Sequence, residues 1–157
     1  MANWNINDLV KGDKLLLYLT SGKTVVAYAT SCSVQVDAET IDVSSKFSCR
    51  WANNLNGRAS YTISADALYV SNAGDGMSFD GLLDLMLVGD AVEWYIGEEQ
   101  EFDGDCEANP HTLDTTKPYY TGKAVVTSCS LEAGNNEIAS CSITLTGAGE
   151  ITKEGGA

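Results

Sequence analysis

Acidic side chains at Asp103, Asp105, Glu107 and Asp114 take the first, third, fifth and twelfth places of the stretch DGDCEANPHTLD. That is the ligand spacing of a twelve-residue calcium loop, which collects carboxylate oxygens around a hard cation. Two requirements are missing. Ala108 stands at the sixth place, where such a loop needs glycine for its turn, and no helical pattern flanks the stretch. Histidine chemistry is equally short of parts. His111 is the sole histidine and lies between Pro110 and Thr112, with no nucleophile predicted beside it. The five cysteines, Cys32, Cys49, Cys106, Cys129 and Cys141, contain no CxxC pair, so with a single histidine no zinc site is expected. Acids gather in loops and at strand ends, the pattern of solvated charge rather than of paired catalytic carboxylates. Gly74-Asp75-Gly76 lacks the spacing that cradles a phosphate between strand and helix. The residues therefore predict no catalytic, cofactor-binding or metal site, and no enzyme.

Composition narrows the alternatives. The 157 residues suit one domain, and 44% hydrophobic content supports a core without staples. With 9 basic against 22 acidic residues the net charge is −13, which opposes adhesion to nucleic acid and is compatible with a surface that repels phosphates. No apolar run has the length of a membrane helix. MANWNINDLVKGDK carries no basic head followed by an apolar stretch, so no signal peptide is expected, and cytoplasmic synthesis follows. An odd cysteine count in that compartment argues against a disulfide framework. Cys32, Cys129 and Cys141 each fall in phase with neighbouring apolar residues and read as small buried side chains.

The elements follow from periodicity. Residues 1–13 read as an arm. Strands are expected over Lys14–Thr20 and Lys23–Asp37, with a turn at Ser21-Gly22. A turn at Ala38-Glu39 leads to a strand over Thr40–Ser48, Asn53–Gly57 reads as a loop, and Arg58–Val70 begins as a strand. One helix is expected after Ser78 as N-cap, with Asp80 in its first turn, Phe79, Leu82, Leu83 and Met86 on its apolar face, and Gly89 as its stop. Ala91–Ile96 is a strand and residues 98–118 form an acidic loop. Strands over Tyr119–Ala133 and Glu137–Gly147 flank the turn Gly134-Asn135-Asn136, and residues 150–157 read as a flexible tail. The fold class is mainly β: a β-sandwich or barrel of about seven to eight strands with one flanking α-helix. An internal echo joins Thr30-Ser31-Cys32-Ser33-Val34 to Thr127-Ser128-Cys129-Ser130-Leu131.

The long strands have one apolar face. The other carries Ala29, Ser31, Ser33 and Gln35, then Asp42, Ser44 and Lys46, then Ser128, Ser130 and Glu132, then Ser140, Ser142, Thr144 and Thr146. These side chains are small, and the strands contain no proline and few lysines, so their edges invite pairing with another chain.

In the order and spacing of its elements, the chain resembles the major tail proteins, or tail tube subunits, of long-tailed bacteriophages. The likeness runs over residues 12–149. It rests on KLLLYLTSGKTVVAYATSCSVQV, on ETIDVSSKFSCRW, on GRASYTISADALY (with Tyr61 where a tryptophan is more typical), on SFDGLLDLMLVG with AVEWYIG, and on the closing YYTGKAVVTSCSLEAGNNEIASCSITLTGAGEI. The resemblance implies a β-sandwich with one helix whose copies form hexameric rings, stacked into a tube that conducts DNA during ejection. It implies a virion-tail location after assembly in the host cytoplasm. Its partners would be further copies of itself, the tape measure, tail terminator and baseplate proteins, and passing DNA bound without specificity, with no membrane insertion. On that footing the two long hairpins are expected to line the lumen. Candidate lumen or rim residues are Asp37, Glu39, Asp42, Ser44, Ser128, Ser130, Glu132 and Glu137. Candidate inter-subunit residues are Trp4, Ile6 and Leu9 of the arm and Trp51. Two alternatives stay open. One is a tube protein of a tailocin or secretion-type injection system. The other is a carbohydrate- or ligand-binding β-sandwich, which would show aromatic residues on an exposed strand face.

Overall fold

A computed structural model describes residues 9, 15–19, 23–26, 29–71, 79–100 and 112–155. Eight strands and one helix are built from them: β1 (Leu15–Leu19), β2 (Thr24–Val25), β3 (Ala29–Asp42), β4 (Asn54–Leu68), α1 (Phe79–Val88), β5 (Val92–Glu98), β6 (Tyr119–Glu132), β7 (Ser140–Gly147) and β8 (Thr152–Glu154). All pair antiparallel in one sheet of order β2-β1-β5-β6-β7-β4-β3, and β8 pairs with β6.

The sheet folds over at β6. The first half of β6 pairs with β5, up to Val92↔Ala124, and its second half pairs with β7, from Ala124↔Gly147 to Glu132↔Ser140. A register shift between Val126 and Ser128 marks the corner, as bulges do where a strand passes from one layer to the next. The sheet curls far enough that Cys32 Sγ on β3 lies 4.0 Å from the Leu15 carbonyl oxygen on β1, near the opposite end of the strand order.

Strict alternation fills the space inside. Ile63, Ala65 and Ala67 of β4, Cys141, Ile143 and Leu145 of β7, and Ala124 and Val126 of β6 face Leu17, Leu19, Trp94, Ile96 and Leu82 of the other layer and helix. Helix α1 buries Leu82 fully and packs Phe79 and Leu85 against this core. Leu85 takes the role expected of Met86, which is exposed. Gly89, at φ 79°, ends the helix where expected, and its N–H bonds the Leu85 carbonyl at 3.3 Å.

Four expectations change. The single strand over residues 23–37 is two strands at opposite ends of the sheet order: β2 pairs with β1 and β3 pairs with β4, and Ala29, expected on the polar face, packs on the core because the register slips between it and Ser31. No turn forms at Ala38-Glu39, because β3 runs through to Asp42, and the strand expected over Thr40–Ser48 ends there, residues 43–53 forming the loop to β4. Asn54–Gly57 is not a loop. It opens β4 through Thr40↔Asn56 and Ile41↔Leu55, and a register shift there leaves Gly57 against Glu39, where a Cβ would stand 3.2 Å from the Glu39 carbonyl oxygen. Thr152–Glu154 is a strand rather than flexible tail, held by the β6 ladder and by Tyr119 Oη donating to Glu154 at 3.1 Å. The base of the acidic loop is also paired, through the bridge Glu99↔Leu113. Ser78, the Ser21-Gly22 turn, Gly74-Asp75-Gly76, Asp103, Asp105, Cys106, Glu107 and His111 lie outside the described residues.

Candidate functional site

The second layer, β6-β7-β4-β3, has a core side and a polar side. On the polar side, cross-strand partners form rows of small residues four strands wide. Ser33 pairs with Ser64, Ser64 with Thr144, and Thr144 with Ser128. The next row runs Ser31, Asp66, Ser142, Ser130. Hydroxyls are partnered within the face: Ser31 Oγ donates to the Asp66 carboxylate at 3.1 Å, Thr127 and Thr146 Oγ1 lie 3.2 Å apart, and the Ser130 and Ser142 hydroxyls are bonded to each other. Over 31–37, 60–66, 128–132 and 140–146 the four strands contain no lysine, arginine or proline, and their acids are Asp37, Asp66 and Glu132.

Two free edges bound this face. Among the described residues β3 pairs with no strand but β4, and β6 beyond Ala124 has no partner on the side that β5 leaves. The β3–β4 pair also runs past the body. From Val36 to Asp42 both faces of β3 are exposed, and the loop at its end carries Phe47, 95% exposed, and Trp51, 76% exposed.

The expected site residues distribute over this frame. Asp37, Ser128, Ser130 and Glu132 share the polar face, with Glu39 on the same side of β3 farther along the arm. Asp42 falls on the opposite side of β3, because the turn that would have reversed the strand is absent. Hydrogen bonds from Ser44, its side chain first and its amide second at 2.8 Å, hold the Asp42 carboxyl below the usual carboxylate range. Glu137 sits in the β6–β7 turn, its N–H 3.3 Å from the Gly134 carbonyl oxygen. Leu9 and Trp51 are exposed, and Trp4 and Ile6 lie outside the described residues. Thr62, Ser64 and Asp66 of β4 also stand on this face, beyond the residues expected from the sequence. Period-two alternation with Ile63, Ala65 and Ala67 was the signal that finds them.

Chemistry is sparse. Among the described residues no group of three His, Cys, Asp or Glu side chains could hold a metal ion, and no helix is long and apolar enough to cross a membrane. Burial pushes the thiols of Cys32, Cys129 and Cys141 up, away from the reactive thiolate.

A sequence model of the phage tail tube proteins matches residues 9–153. The chain belongs to the phage tail tube protein family. This tail tube protein is accordingly a structural component of a viral tail. Its fold is shared with solved structures. A chain from the virion of a native gene transfer agent particle superposes with TM-score 0.67 at 19% identity, covering 92% of this chain and 98% of that one. A chain from the tail of an empty gene transfer agent particle, computed with helical refinement in C6 symmetry, gives TM-score 0.67 at 20% identity, with coverage of 92% and 98%. The SPP1 tail tube gives TM-score 0.63 at 11% identity, covering 94% of this chain and 80% of that one. No curated protein matches the tail tube protein by sequence.

Proposed function

We propose that copies of this tail tube protein close into six-membered rings that stack into a tube, with the polar face of β6-β7-β4-β3 turned to the lumen and DNA passing over it. The observation that carries this reading is one four-stranded, small-polar face bounded by two free edges. A single barrel of about eight strands is filled by its own side chains, so one chain cannot enclose a DNA-wide pore. Copies must pool their sheets, and pairing β3 of one with β6 of the next removes both open edges at once. The C6 symmetry of the gene transfer agent tail supports the number six. DNA carries about one negative charge per 1.7 Å of axis. Asp37, Asp66 and Glu132 repel it, and short hydroxyls already bonded to one another offer few grips. The overhanging β3–β4 arm, with Phe47 and Trp51 at its end, reaches from one ring to the next. Assembly takes place in the host cytoplasm, with tape measure, terminator and baseplate proteins bounding the tube.

Electron microscopy of the concentrated protein tests the reading, combined with thiol labelling of two variants, S64C on the polar face and L87C on the exposed end of α1. Peptide mapping separates each introduced thiol from the exposed native Cys49. Hollow tubes are expected, in which the thiol of S64C reacts with a small maleimide but not with a protein-sized one, while that of L87C reacts with both. A monomer at every concentration, or equal labelling of S64C by both reagents, overturns it.

A second reading is favoured by one likeness. A chain of the anti-feeding prophage baseplate, 6-fold symmetrised, superposes with TM-score 0.58 at 11% identity and coverage of 99% and 98%. The same ring would then serve an injection system that delivers protein, and tubes isolated from producing cells would contain protein rather than DNA.

A further inference from the structure

The echo between β3 and β6 is reproduced at their bulges. In β3 the register slips between Ala29 and Ser31, leaving Thr30 as the extra residue; in β6 it slips between Val126 and Ser128, leaving Thr127. Thr30 Oγ1 donates to the Asp66 carbonyl at 3.2 Å, and Asp66 is the partner of Ser31. Thr127 Oγ1 donates to the Thr144 carbonyl at 3.2 Å, and Thr144 is the partner of Ser128. Past each bulge a cysteine packs on the core, Cys32 opposite Ala65 and Cys129 opposite Ile143.

Superposing the hairpins places Ser64 on Ser142, Ala65 on Ile143 and Asp66 on Thr144. The ladder between them, β4 with β7, obeys the same exchange. Ser64↔Thr144 converts to Ser142↔Asp66, and Thr62↔Thr146 converts to Ser140↔Leu68, both observed pairs. Ala65↔Ile143 converts to itself. A local two-fold axis therefore passes between Ala65 and Ile143, perpendicular to the sheet.

We infer that the polar face is one hairpin unit used twice about this axis, and that Thr30 and Thr127 are its paired curvature-setting residues, bending the two free-edge strands to the angle at which neighbouring copies close a ring. A bulge bends its strand and increases the local twist. Here both threonine bulges lie on the outer strands β3 and β6 and the inner β4–β7 ladder has none, while the further slip of the β3–β4 ladder, between Ala38 and Thr40, lies out on the overhanging arm. Each threonine hydroxyl ties its bulge to the facing carbonyl, a bond valine cannot make. Small changes of angle at each edge accumulate over the copies of a ring, so the angle decides whether and at what size it closes. The inference rests on the ring reading of the preceding subsection.

The test compares wild type, the double variant T30V/T127V, each single variant, and S64A as a hydroxyl lost from the unbulged centre. Circular dichroism reports the fold, and class-averaged electron microscopy reports ring diameter and rotational order. Wild type and S64A are expected to give the same six-membered rings. Folded T30V/T127V is expected to lose them for rings of another order or open arcs. The single variants, equivalent by the axis, shift diameter equally, which keeps the test intact should the double variant fail to fold. Double-variant rings of wild-type diameter, or unequal shifts from the single variants, overturn the inference. Wild type that forms no rings overturns the ring reading itself and this inference with it.

Discussion

Trp94 donates its indole N–H to the hydroxyl of Tyr61 across 3.2 Å, with the ring centroids 5.5 Å apart and tilted by 59°. Tyr61 passes the bond on, donating to the Lys123 carbonyl oxygen. Three strands, β5, β4 and β6, are thus joined by one phenol at the corner where the two layers meet. Trp94 is fully buried and Tyr61 nearly so, so these polar atoms have no ready recourse to water.

Tyr61→Phe keeps the ring and removes the hydroxyl, leaving a buried indole N–H without its acceptor. The expected cost is about 2 kcal/mol, within the range for an unsatisfied buried group. A thermal melt should show a drop in Tm of roughly 4–8 °C for a chain of this size. An unchanged Tm would mean that the phenol is not the joint.

Gly147 and Gly122 give Tyr61 its room. A Cβ at Gly122 would lie 3.0 Å from Tyr61 Oη and 3.2 Å from Trp94 Cζ2, and one at Gly147 would meet the Tyr61 ring itself. Gly147→Ala is therefore an overpacking change costing roughly 1–3 kcal/mol. The variant Gly147→Ala in a Tyr61→Ala background should recover part of that loss, read as the coupling term of a double-mutant cycle.

Acid should loosen the far end of the β3–β4 arm late. The Asp42 carboxyl is held down by Ser44, so its folded pKa lies below its unfolded one. A group shifted this way contributes above the unfolded pKa and loses that contribution as pH falls through the folded pKa. The Ser44 amide resonance should accordingly stay constant down to the ordinary carboxylate range and move only below it. Asp42→Asn should abolish that step. Movement already at mildly acidic pH would contradict the assigned bond.

Phe47 and Trp51 contribute little to the single subunit. Replacing both with serine should leave monomer stability within about 0.5 kcal/mol, as for surface sites without special contacts. Rings should still form but fail to stack, visible as isolated rings in place of tubes. Tubes of normal length from this variant would relocate the stacking contact.

Much of this architecture is legible in the sequence because alternation fixes faces. The β6–β7 hairpin, with Cys129, Cys141, Ile143 and Leu145 inward and Ser130, Ser142 and Thr144 outward, follows from period two alone. Helix α1 is framed by Asp80 and Gly89. Alternation is silent about neighbours, however. Val26, Cys32 and Val34 share one parity in the sequence, so nothing local marks the passage from β2 at one end of the sheet order to β3 at the other. Asn54 and Asn56 have turn chemistry yet form strand, because Asp42 and Thr40 partner them in the ladder. The four-strand width of the polar face was hidden for the same reason. It depends on β4 meeting β7, a contact between distant parts of the chain that no short-range pattern encodes.

The strand order also sets a timetable for synthesis. Leu15–Leu19 pairs with Trp94–Glu98, so this strand leaves the ribosome long before its main partner exists. The β3–β4 and β6–β7 ladders join strands adjacent in sequence and can zip as soon as each has emerged. Nascent chains therefore carry a finished β3–β4 hairpin, with its bare edge and arm, while the layer that covers its apolar side is still being translated. On crowded polysomes the earliest contacts between copies can precede the completion of any one of them.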